Sequence, residues 1–155
     1  MAKNNGFTLI ELIIVVATIS LFVGISVAYY NNFSENKKLE SEARKFANVL
    51  NLAKSKASSG ESYSNCNNFT GYRISVNADN YTLNFCCNNS CTTQIMASDL
   101  PDDIEFSSGT GNITFKPIGG ETNLTSDKLI VLRDDSLNRN INITVSTFGN
   151  ITLNE

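Results

Sequence analysis

The hydrophobic pattern changes character twice along the chain. From Phe7 to Tyr30 the apolar positions are almost unbroken, with 14 Leu, Ile, Val or Phe residues and Glu11 as the only charge between Lys3 and Glu35. From Leu39 the apolar residues recur at Ala43, Phe46, Leu50, Ala53 and Ala57, alternating steps of four and three that predict an amphipathic helix with one apolar stripe. Charged and polar residues fill the other faces, and Ser58-Ser59-Gly60 predicts its end. One helix over about 7–58 would be roughly 78 Å long at 1.5 Å per residue.

Beyond Ser62 the period becomes two. Tyr72-Ile74-Val76 and Tyr81-Leu83-Phe85 flank Asn77-Ala78-Asp79-Asn80, a hairpin signal. Ile104/Phe106, Ile113/Phe115, Leu129–Leu132, Ile141/Ile143/Val145 and Ile151/Leu153 predict further short strands, with Gly109, Gly111, Gly119-Gly120 and Gly149 at turns. The expected fold class is α+β: a long N-terminal helix packed on a small antiparallel β head.

The first run reads as a transmembrane segment. Its 14 strongly apolar residues favour insertion by about 4–8 kcal/mol in sum, against roughly 2.5–3.5 kcal/mol for one carboxylate at the bilayer centre. Insertion wins despite Glu11. About 24 residues, roughly 36 Å of helix, suffice to cross. Lys3 argues for a cytoplasmic N-terminus and an exported head. A secretory signal peptide would have a shorter apolar region with small residues behind it, and Ala28-Tyr29-Tyr30-Asn31 is no such site. Here the small polar leader, Met1 to Gly6, lies in front.

Gly6-Phe7-Thr8-Leu9-Ile10-Glu11-Leu12 followed by a Val/Ile-rich stretch resembles the class III signal of type IV pilins and type II secretion pseudopilins. The resemblance implies a type IV pilin-like fold. It further implies cleavage between Gly6 and Phe7 by a prepilin peptidase, methylation of the Phe7 amine, and extraction from the inner membrane into a helical filament. The partners so implied are other pilin or pseudopilin subunits, the peptidase, an inner-membrane assembly platform and, before assembly, lipid. The expected segments are a leader over 1–6, a membrane and filament-core helix over 7–30, its amphipathic continuation over 31–59 and a β-rich head over 60–155. Many major pilins carry a proline in the second half of the apolar segment. This chain has none there, its two prolines being Pro101 and Pro117.

Glu11 then acquires a role. In the membrane it is an uncompensated carboxylate, protonated or held near the interface. In a filament it would pair with the free Phe7 amine of a neighbouring subunit, favouring polymerisation and setting axial register.

A second resemblance lies further on. Leu50-Asn51-Leu52-Ala53-Lys54-Ser55-Lys56-Ala57, Ile113-Thr114-Phe115-Lys116-Pro117-Ile118-Gly119 and Ile143–Ile151 with Gly149 are similar to the GspH/FimT-type minor pseudopilins, although Lys54 and Lys56 replace the usual Arg and Glu. Some members of that group bind DNA through arginines near the C-terminal end, a role that would fall here on Arg133 and Arg139.

Composition narrows the remaining classes. The net charge is −3 with a pI of about 5.0, which argues against bulk nucleic-acid binding. No His and no Trp are present, and no carboxylate pair stands out, so neither an enzyme nor a cofactor or metal site is expected. Asn occurs 22 times, and Asn32, Asn68, Asn80, Asn88, Asn112, Asn123, Asn142 and Asn150 open Asn-X-Ser/Thr triplets. Such triplets are glycosylation acceptors in other settings, but a chain rich in Asn and Thr makes them by composition alone.

Cys66, Cys86, Cys87 and Cys91 suggest two disulfides in an exported head. Joining the adjacent pair Cys86–Cys87 would be strained. Two schemes stay open: Cys66–Cys86 with Cys87–Cys91, or Cys66–Cys87 with Cys86–Cys91. Zinc is disfavoured without His or a C-x-x-C pair.

The function expected is that of a structural subunit, a minor pilin or pseudopilin of a type IV pilus or type II secretion pseudopilus. A pilus-tip protein for DNA uptake or adhesion, and a major pilin, are the alternatives. The expected location is the bacterial inner membrane, single-pass, followed by a periplasmic or extracellular filament.

Overall fold

The computed structural model describes residues 8–62 and 66–154, and for residues 24–32 the backbone alone. Helix α1 covers Leu9–Ser58. It stops where the sequence predicts, and the hydrogen bonds show why. Gly60 takes a φ of 66°, its N–H bonds to Ala57 O, and the Glu61 N–H reaches back to Lys56 O at 3.1 Å. That is a Schellman closure, in which a left-handed residue that glycine adopts without strain satisfies the last carbonyls.

The chain forms two compact units, Met1–Lys37 and Lys38–Glu155. In the second, eight strands build two antiparallel sheets. The first contains β1 (Phe69–Val76), β2 (Asn80–Cys87), β3 (Ser90–Asp99) and β5 (Gly111–Phe115) in the order β3-β2-β1-β5. The second contains β4 (Ile104–Ser108), β6 (Lys128–Asp134), β7 (Arg139–Val145) and β8 (Ile151–Asn154) in the order β4-β6-β7-β8. The α+β class and the helix-on-antiparallel-sheet packing are as expected.

The whole predicted stripe of α1 is fully buried: Leu39, Ala43, Phe46, Leu50, Ala53 and Ala57, joined by Val49 on its flank. It shares one core with Tyr72, Ile74, Tyr81 and Leu83 of the first sheet and with Phe106, Ile130, Leu132, Ile141 and Ile143 of the second. Phe46 is the hinge of this packing. Its ring meets those of Tyr81 and Phe106 edge-on, each at 4.9 Å, so one helix residue binds both sheets.

One strand was not foreseen. Ser90-Cys91-Thr92-Thr93-Gln94-Ile95-Met96 has no alternation because β3 is an edge strand with neither face deeply buried. Cys87 pairs with Ser90, leaving Asn88-Asn89 as a two-residue loop with φ values of 51° and 64°. Positive φ at both loop residues is the requirement of a type I′ hairpin, and asparagine tolerates it.

This hairpin settles the cysteine pairing. Cys66 joins Cys87 and Cys86 joins Cys91. The first bridge ties the segment ahead of β1 to the end of β2, and the second spans the β2–β3 turn.

Candidate assembly interface

The N-terminal end of α1 is built by reciprocal hydrogen bonds. Thr8 precedes the first helical residue, and its Oγ1 accepts from the Glu11 N–H at 3.3 Å. Glu11 Oε2 in turn accepts from the Thr8 N–H at 3.2 Å and from its hydroxyl at 3.1 Å. Thr8-x-x-Glu11 is thus a capping box, which satisfies two helix-end donors at once. Glu11 thus has the neutral donors of Thr8 as partners, and they leave its charge without an opposite one of their own. The T-x-x-E spacing was visible in the sequence as a helix-start signature.

Downstream of this cap the helix offers an apolar surface. The large apolar residues from Leu9 to Val23 that stand open, among them Ile10, Ile13, Val16, Leu21 and Phe22, keep between 48% and 78% exposure. The polar residues among them are satisfied internally. Thr18 Oγ1 donates to Ile14 O at 3.0 Å, and Ser20 Oγ donates to Val16 O at 2.8 Å. Neither hydroxyl would enter lipid or a protein interface unpartnered. A helix apolar all round is made for burial.

Among the described residues, no helix is long and apolar enough to cross a membrane. The membrane segment expected over 7–30 includes Phe7 and the side chains of 24–30, which lie outside the described residues. Gly6 and Phe7, the expected processing site, lie outside them too.

The two arginines considered for DNA contact do not make a joint surface. In the β6–β7 ladder Arg133 pairs with Asn140 and Arg139 with Asp134. One step along a strand reverses the face, so Arg133 and Arg139 belong to opposite faces of the sheet. Arg133 Nε also stands 2.9 Å from Asp135 Oδ1, an ion pair whose geometry is off the N–H direction required for a hydrogen bond. Asp134 is buried and receives Ser136 Oγ–H at 2.6 Å and the Leu137 N–H at 3.0 Å, holding the turn between the strands.

No group of three or more His, Cys, Asp or Glu side chains with metal-binding geometry occurs among the described residues. All four cysteines are in disulfides.

Comparison with known proteins agrees with the N-terminal geometry. Residues 1–27 match the prokaryotic N-terminal methylation motif, which supports the type IV pilin and pseudopilin class. The match covers residues 1–6, the Thr8–Glu11 cap and most of the apolar run, and leaves the head aside. No curated protein and no solved structure matches the chain.

Proposed function

We propose that the protein is a structural subunit, a minor pilin or pseudopilin of the GspH/FimT type, that acts by assembly and not by catalysis. A prepilin peptidase cuts between Gly6 and Phe7, the Phe7 amine is methylated, and the apolar helix holds the subunit in the inner membrane until a platform transfers it to a filament. The observation that carries this reading is the uncovered apolar helix, capped by Thr8 and Glu11, that begins inside the methylation motif.

Burial supplies the driving force for each stage. Apolar area removed from water contributes about 25 cal/mol per Å², so neither lipid nor neighbouring helices can be replaced by solvent around Leu9–Val23. Glu11 adds direction. In the free subunit Thr8 satisfies its carboxylate; in the filament the Phe7 amine of a neighbour offers a full positive charge in a dry setting, a stronger partner than a neutral donor.

The test is recovery of the chain in sheared, purified surface or periplasmic filaments. Wild-type protein is expected in that fraction and Glu11→Ala protein in the membrane fraction alone. Absence of the unaltered chain from every filament, or filament incorporation of Glu11→Ala at wild-type levels, would remove the reading or Glu11's part in it.

A further inference from the structure

Every cysteine of the chain is committed. The sequence holds four, and the head joins Cys66 to Cys87 and Cys86 to Cys91. The adjacent residues Cys86 and Cys87 therefore go to different partners, and exchanging them gives Cys66–Cys86 with Cys87–Cys91. Each loop of that exchanged scheme is one residue shorter than the native separations of 21 and 5. Loop-closure entropy in the unfolded chain then favours the exchanged scheme by only about 1.5-fold. Chain length does not choose between the two, and closure before folding gives both in comparable amounts.

The fold does choose, through the parity of β2. Tyr81, Leu83 and Phe85 turn one face of that strand into the core. Cys87 continues the same alternation, and it packs against the core as Cys66 does. Cys86 belongs to the opposite face, where its bridge to Cys91 spans the β2–β3 turn. A Cys66–Cys86 bridge draws the other parity of β2 inward, and such a one-residue slip turns Tyr81, Leu83 and Phe85 away from the core. An exchanged head therefore loses its packing.

Nor does such a head correct itself. With both bridges closed, either scheme uses all four cysteines, and no thiol remains in the chain to attack a disulfide. We propose that the head matures with a thiol–disulfide isomerase of the receiving compartment as its partner, an enzyme with an accessible reduced cysteine. The bridges come first, from a disulfide-donating oxidant that takes two electrons and two protons per pair. In an exchanged chain the isomerase thiolate then attacks Cys91 Sγ and expels the Cys87 thiolate. Cys87 attacks Cys66 Sγ, forming Cys66–Cys87 and releasing the Cys86 thiolate. Cys86 attacks Cys91 Sγ, forming the second native bridge and freeing the enzyme thiolate. Two disulfides of the chain break and two form, with no net transfer of electrons or protons.

This partnership rests on the exported head of the assembly reading. Full-length chain in detergent micelles is reduced, oxidised in concentrated guanidinium, returned to buffer and mapped by non-reducing peptide digestion. About 40% of chains should carry the native bridges, the share that loop closure alone allows. That share should stay fixed in thiol-free buffer, and a catalytic amount of reduced bacterial disulfide isomerase should bring nearly all chains to the native pairing. Glutathione alone, with its smaller thiolate fraction, should act about tenfold more slowly. In Cys86→Ser with Cys91→Ser only one bridge can form, so the yield of Cys66–Cys87 should not depend on the isomerase. Nearly complete native pairing in thiol-free buffer, exchanged chains that the isomerase leaves unchanged, or equal rates with glutathione would each overturn the proposal and leave the assembly reading standing. Four free thiols in chain purified from cells would instead remove the exported head on which both depend.

Discussion

Thr8 and Glu11 cap each other: the Thr8 hydroxyl accepts from the Glu11 backbone N–H, and the Glu11 carboxylate accepts from the Thr8 N–H and hydroxyl. A residue inside the N-terminal methylation motif is thus also one that starts the helix. In the assembly proposed above it would have a partner to give up, and that partner is neutral.

The two roles separate by substitution. Thr8→Ala removes the cap and leaves the charge, and should cost about 1 kcal/mol of local helix stability. Hydrogen exchange in detergent micelles is expected to speed up at the amides of residues 9–12 and nowhere in the head. Glu11→Gln keeps an acceptor for the Thr8 N–H, so it should leave exchange near wild type while impairing filament incorporation.

Phe46 carries the packing of α1 on both sheets. Phe46→Ala deletes the ring that meets Tyr81 and Phe106 and leaves a cavity that rigid sheets close poorly. The expected loss is about 3–5 kcal/mol, read as a lower urea midpoint. A shift under about 1 kcal/mol would show that the helix and sheets pack differently.

The disulfides should contribute unequally. Cys66–Cys87 closes a separation of 21 residues and Cys86–Cys91 one of 5. Loop-closure entropy favours the longer link, at about 3 kcal/mol against roughly 2 for the shorter. Paired serine substitutions, Cys66→Ser with Cys87→Ser and Cys86→Ser with Cys91→Ser, should lower stability in that order. Non-reducing peptide maps should show only these two pairings.

Lys128 gives the head a pH signature. Burial lowers its pKa from the usual 10.5, while its Nζ donates to Thr110 O at 2.9 Å. Between the lowered folded value and 10.5 the unfolded chain binds more protons than the folded one, so this residue makes stability rise with pH across that window. Below the folded value both states are protonated and the slope vanishes. Urea midpoints measured through the alkaline range should rise less steeply in Lys128→Met than in wild type, and equal slopes would contradict the assignment.

Much of this architecture was legible because burial imposes a period. The α1 stripe from Leu39 to Ala57 and the alternating pairs Ile74/Val76 and Leu83/Phe85 each announce one buried face, and the chain buries those residues. β3 left no such trace, since an edge strand with Thr92, Thr93 and Gln94 mostly in solvent has no face to conceal. The division into two sheets was also hidden. β4 follows β3 directly yet joins the other sheet, while β5 returns to pair with β1, and such partners are chosen over long range. Cysteine pairing depends on the β2–β3 turn at Asn88-Asn89, which brings Cys91 back beside Cys86 and carries no hydrophobic signal of its own. At the N-terminus the reverse happened. Thr8-x-x-Glu11 is legible from spacing alone as a capping box, a role that the charge of Glu11 in an apolar run masks.

The most direct measurement is the mass of the N-terminal peptide of the chain isolated from membranes with active peptidase. The account predicts a mature chain beginning at Phe7 with a methylated amine. A chain that still begins at Met1 in those cells would contradict it.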